Sequence, residues 1–151
     1  MVSRTSEHAL RAVLYLARRW GEGPVPVDTI ADALGAPRNY LSKTLNALAK
    51  HEIVDGVRGV HGGFQLAIAP ERLPLSRVVG LFDEPRTSRM CLLGGRPCDD
   101  AAPCVAHRRW MAITDAARLA LATTTIADLL GAPAAADRGA TGAAIPARAA
   151  V

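Results

Sequence analysis

Residues 27–50 read VDTIADALGAPRNYLSKTLNALAK, and their punctuation decides the fold. Ile30, Ala31 and Leu34 share one face of a short helix over about 27–34. Gly35 closes it, because a glycine after the last turn takes up the left-handed backbone that ends a helix. Pro37, with its fixed φ and missing N–H, suits the start of a second helix over about 37–50. There Leu41, Thr44, Leu45 and Leu48 form the inward stripe, while Arg38, Asn39, Ser42, Lys43 and Asn46 face outward. This second helix contains no acid. Two short helices joined by a tight glycine turn, the second with a polar outer face, are the helix-turn-helix arrangement.

Working outward, residues 5–20 predict an opening helix with Ala9, Ala12, Val13, Leu16, Ala17 and Trp20 on one stripe, capped by Thr5 or Ser6. On the other side, Ile53-Val54 and the alternating Phe64, Leu66 and Ile68 predict two strands. The glycine-rich run Asp55 to Gly63 joins them into a hairpin wing that ends at Pro70. Leu75, Val78, Val79 and Phe82 predict a short helix over 74–83. After an irregular stretch, one longer helix is expected over about 104–130, with Trp110, Ile113, Ala117, Leu121, Thr124 and Leu129 on one side. The expected fold is therefore mainly α with a small β-hairpin wing. The boundaries are a winged helix-turn-helix domain over 1–70, a second region over 71–130, and an alanine-rich tail over 131–151 expected to be disordered.

The outward residues of the second helix are side-chain types that donate to phosphates or base edges. Its N-terminal positions, Arg38, Asn39 and Ser42, are the ones a recognition helix turns toward the major groove. In the wing, Arg58 and His61 stand among Gly59, Gly62 and Gly63, which leave room for close approach to a narrow minor groove. The net charge of +4 fits such a partner. Aromatic residues make up only 4% of the chain, too few for a platform that stacks single-stranded bases. No nucleophile–base pair, phosphate loop or paired carboxylates suggest an enzyme. No apolar run is long enough to span a membrane, and no signal-peptide core follows the N-terminus, so a cytoplasmic location is expected.

All three cysteines fall within 14 residues, as Cys91-x6-Cys98-x5-Cys104. An odd number of thiols in one loop of a cytosolic chain points to metal ligation more than to disulfides. The spacing is too wide for a zinc ribbon, but three thiolates on a flexible loop suit an iron–sulfur cluster or zinc. Such a centre lacks one ligand here. His107, one helical turn after Cys104, and Glu7 on the opening helix, donated by a second chain, are the candidates. Left without metal, the same thiols would form an oxidation-sensitive switch.

Together, Ala9-Leu10-Arg11, Ile30-Ala31, Tyr40-Leu41-Ser42-Lys43, Arg58-Gly59, Gly62-Gly63-Phe64-Gln65-Leu66, the three cysteines and His107 resemble the Rrf-type winged-helix transcription regulators. The likeness covers residues 1 to about 130. That family includes an iron–sulfur cluster regulator and a nitric-oxide-sensing repressor. The resemblance implies a homodimer paired through the long C-terminal helix over a double-stranded operator with approximate two-fold symmetry. It further implies a [2Fe–2S] or [4Fe–4S] cluster on Cys91, Cys98 and Cys104 that sets DNA affinity. DNA contacts follow by likeness at Arg38, Asn39, Tyr40, Ser42, Lys43, Arg58 and His61. The first cysteine gap is one residue longer than the family's usual five. His107 matches the histidine ligand of the cluster regulator, and Glu7 matches the partner-donated carboxylate of the nitric-oxide sensors. The histidine also occurs where it need not ligate, which turns the choice toward Glu7.

Overall fold

The computed structural model describes residues 2–83, 90–94 and 97–131. Among these residues there are six α-helices and one hairpin. They are α1 (Arg4–Ala17), α2 (Val27–Leu34), α3 (Arg38–Lys50), β1 (Val54–Val57), β2 (Gly63–Leu66), α4 (Leu75–Val79), α5 (His107–Thr123) and α6 (Ile126–Gly131), with one 3-10 turn at Pro70–Arg72. This is the expected winged helix-turn-helix. The predicted disordered tail, apart from Gly131, lies outside the described residues.

Ser3, not Thr5 or Ser6, caps α1, its hydroxyl accepting from the Ser6 amide at 3.2 Å. Ser6 is instead buried and donates to the Val79 carbonyl, fastening α1 to α4. The helix stops at Ala17, so Trp20 drops out of the inward stripe and is 48% exposed. The α2–α3 turn follows the sequence closely. Gly35 has φ 59° and ψ 32°, the left-handed cap, and Pro37 stands just outside α3 as its N-cap. Ile30, Leu41, Leu45 and Leu48 are fully buried together with Val13 of α1. Apolar residues at helical spacing on three crossing helices thus supply the core's driving force.

The wing pairs antiparallel, from Val54↔Leu66 to Val57↔Gly63. A short third edge was not visible in the sequence: Val25 bridges Phe64, with N···O distances of 2.9 and 2.8 Å. This changes the meaning of Gly63. A Cβ there would lie 2.2 Å from the Val25 carbonyl oxygen, and one on Gly62 would lie 2.3 Å from that of Val57. Both glycines are therefore required by the wing's own backbone, rather than by an approaching groove. Of the wing glycines at 56, 59, 62 and 63, Gly59 is the one that combines open space with a positive φ, +118°.

The expected single C-terminal helix is broken. Thr124 turns extended (φ −87°, ψ 128°), and the Leu75 amide donates to its carbonyl while the Ile126 amide donates to Leu73. Thr125 then opens α6 reciprocally. Its amide and hydroxyl donate to Asp128 at 2.8 Å, and its oxygen accepts from the Asp128 amide at 3.2 Å. Backbone and hydroxyl donors from Thr125 hold the Asp128 carboxyl below its ordinary value. The break returns Ile126 to the core, where it is fully buried with α1, α2, α3 and Leu73 around the same cluster. By contrast α5 buries no residue, and Ile113 and Leu119 on it are 61% and 64% exposed. Among the described residues no helix is long and apolar enough to cross a membrane.

Candidate DNA-reading face and cysteine cavity

Two sites emerge. The first is a cleft of about 500 Å³ between the α2–α3 unit and the wing, lined by Arg38, Asn46 and Arg58 among others. Helix α3 turns its Leu stripe inward, which leaves Arg38, Asn39, Lys43 and Asn46 exposed and Ser42 half-buried. Arg58 and His61 are exposed on the wing. The sequence thus placed this face's cations correctly as surface groups. It missed Asp28, on the first turn of α2, whose carboxylate accepts from Arg38 Nε inside the cleft. No local pattern flags that pair, because ten residues and a helix crossing separate its members.

Tyr40 sits differently from its neighbours. Half-buried, its ring meets His8 of α1 edge-on, with centroids 5.4 Å apart. His8 Nδ1 is buried without a hydrogen-bond partner among the described residues. The pair ties α1 to α3 through an aromatic contact.

The second site is a cavity of about 250 Å³ at the start of α5, lined by Cys91, Cys98, Cys104 and His107 with Pro97, Asp99 and Ala102. All three thiols are free and half-buried. Cys91 Sγ and Cys104 Sγ approach to 3.6 Å. The Leu93 amide and, next, the Cys104 thiol hold Cys91 below the ordinary thiol range. Burial pushes the Cys98 thiol up, and the adjacent Cys91 adds to the effect. Among the described residues no three His, Cys, Asp or Glu groups converge on one point as a metal ion requires. The thiols line one wall-to-wall space without closing on its centre. Three soft donors are the ligand type an iron–sulfur group takes, one short of the usual four, and in this arrangement they line the space without converging.

The two candidate fourth ligands sit apart. His107 lines the cavity, and its Nε2 lies 3.0 Å from the exposed Asp100 carboxylate, a pairing the sequence reading missed. Glu7 is on α1, where Arg11 one turn later pairs with it at 2.8 Å. Its carboxylate does not line this chain's own cavity. Trp110 Nε1 donates to the Met90 carbonyl at 2.7 Å, and Asp83 accepts from the Ser3 amide at 3.0 and 3.2 Å.

Comparison with known proteins follows the same outline. The sequence model of the Rrf2 family, described as an iron-dependent transcriptional regulator, matches residues 2–132. The HTH-type transcriptional regulator IscR of Sodalis glossinidius is 30% identical over 123 residues, 82% of this chain and 74% of that protein. Protein rrf2 of Nitratidesulfovibrio vulgaris is 31% identical over 125 residues, 83% of each chain. Among solved structures, CymR, the global cysteine regulator of B. subtilis, superposes with a TM-score of 0.73 at 25% identity, covering 85% of this chain and 95% of its own. Fold, helix-turn-helix, wing and family match agree: the chain belongs to the Rrf2 family of transcriptional regulators, and it is a regulator rather than an enzyme.

Proposed function

We propose that this regulator binds its operator as a homodimer and acts as a repressor whose DNA affinity is set by an iron–sulfur cluster. The observation that carries the proposal is the gathering of Cys91, Cys98 and Cys104 around one cavity at the start of α5. Those three thiolates would hold the cluster, with the fourth position taken by Glu7 of a second copy or by His107. The cluster, when bound, supplies a centre that responds to oxidants, nitric oxide or iron–sulfur supply. The chain's own part is positional. Cys104 adjoins α5, and α5 and α6 lead back to α1 and the core, so a change in how the thiols are held bears on the helices that space the two recognition elements. Two-site DNA binding is geometrically sensitive to that spacing. The apolar side chains that α5 leaves exposed, Ile113 and Leu119, support pairing through this helix.

DNA contact is assigned to Arg38, Asn39, Ser42 and Lys43 of α3 and to Arg58 and His61 of the wing. Tyr40 belongs to the same face, with its ring braced on His8. Purification of the full chain without oxygen tests the reading. A visible absorption band with stoichiometric iron and sulfide, lost in Cys98→Ser, is expected. A colourless, iron-free protein overturns it. Glu7→Ala and His107→Ala, compared for cluster retention, identify the fourth ligand. Duplex affinity should fall steeply with salt, in proportion to the phosphates neutralised, and a flat response rejects DNA reading.

The 3.6 Å Cys91–Cys104 separation favours a second reading, a cluster-free dithiol switch. There a peroxide would accept two electrons as the two thiols close to a disulfide with release of water. Iron-free protein whose DNA affinity changes with peroxide, and returns with dithiothreitol, selects this reading.

A further inference from the structure

The cleft between α3 and the wing contains one acid among its lining residues, Asp28. A carboxylate on a face that meets phosphates is repelled by them, so its presence there calls for a compensating role. Its position gives one. Asp28 accepts from Arg38 Nε, the inner nitrogen of the guanidinium, and both side chains remain more than half exposed. Asp28 is itself held at the first turn of α2, where Pro26 offers no side-chain cap and the free amides favour a negative charge.

Resting on the DNA-reading function proposed above, we infer that Asp28 buttresses Arg38 so that α3 reads a guanine at one position in each operator half-site. Arg38 is the first residue of α3, the end that a recognition helix presents to base edges. Engaging the Nε leaves both terminal amino groups, which lie in one plane and point past the acid. Two parallel N–H donors match the O6 and N7 acceptors of guanine in the major groove. Adenine places an amino donor where O6 would be, and so meets Arg38 with like polarity. The buttress fixes the plane of a long, mobile side chain before DNA arrives, so less freedom is lost on binding. Asp28 is thus a positioning residue for specificity, and Arg38 is the reader.

Selection from a randomised duplex pool by the full-length protein tests this, with wild type, Asp28→Ala and Arg38→Lys compared. Wild type is expected to enrich guanine at one pair of symmetric positions. Asp28→Ala, which removes the acceptor for Arg38 Nε, should relax the preference there by roughly fivefold or more, while the other positions hold and the melting temperature changes little. Arg38→Lys should lose the same guanine, because an ammonium cannot form the two-pronged contact. An Asp28→Ala protein that selects the wild-type sequence unchanged overturns the inference. So does one that loses a cytosine instead, which would make Asp28 itself the reader of a base amino group. A wild-type protein that enriches no sequence at all rejects DNA reading itself, and this inference with it.

Discussion

Replacing Ile126 by alanine separates the roles of the two C-terminal helices. Ile126 is fully buried at the start of α6, against the same cluster that holds α1 and α3 together. The substitution removes three carbons, worth about 2.4 kcal/mol at about 0.8 kcal/mol each, and leaves a cavity that adds to the loss. A total of about 3–4 kcal/mol follows, within the range of about 2–5 kcal/mol seen for such truncations. Against a typical stability of about 5–15 kcal/mol, that is a large share. In the monomer, where Ile113 on α5 is 61% exposed, truncating it the same way should cost less than about 0.5 kcal/mol. The assay is urea unfolding followed by far-UV circular dichroism, at a protomer concentration low enough to keep both variants monomeric. A loss below about 1 kcal/mol for Ile126→Ala, or equal losses in the two monomeric variants, would refute α6 as part of the winged-helix core.

Gly63→Ala should destabilise by about 2 kcal/mol or more, because its Cβ would meet the Val25 backbone at 2.2 Å; a melting temperature equal to wild type would mean the wing detaches freely. Asp83 offers a pH test. Burial pushes its carboxyl up, but donors from Ser3 and Ser6 outweigh this and hold it below the ordinary 3.8. A lowered folded value means the contribution is present above about pH 4 and lost as pH falls further, so Asp83→Asn should flatten the acid limb of a urea-midpoint profile below pH 4. Arg58→Ala should weaken operator binding by ~1–3 kcal/mol, read by fluorescence anisotropy, and unchanged affinity would remove the wing from the contact.

The helix-turn-helix was legible because its punctuation is local: Gly35 and Pro37 stand either side of Ala36 in a three-residue turn, and the Leu stripe of α3 has clean helical spacing. The C-terminal break was also written locally, as Thr125-x-x-Asp128 ahead of an apolar pair, a helix-opening signal. Apolar periodicity running across it, from Leu121 to Leu129, outweighed that signal in the sequence reading. Non-local facts were not legible. The Val25–Phe64 bridge, the Asp28–Arg38 pair and the His8–Tyr40 contact each join segments whose meeting depends on how helices cross. For the cysteines, the sequence indicated one loop and one missing ligand. His107 was already expected near them, one helical turn after Cys104; only the folded chain pairs it with Asp100.

Helix α5 spans 17 residues, about 25 Å, yet buries none of them. It is fastened near its ends, by Trp110 to Met90 and by the Thr124 carbonyl to Leu75. Within one protomer such a helix opens by local fluctuation long before the core does, so its amide hydrogens should exchange with solvent sooner than those of α1 and α3. A partner packed along Ile113 and Leu119 would slow that exchange, so protection of α5 reports how much of the protein is paired at a given concentration. The three thiols need no such opening, because they line a cavity and are already part-exposed beside the first turn.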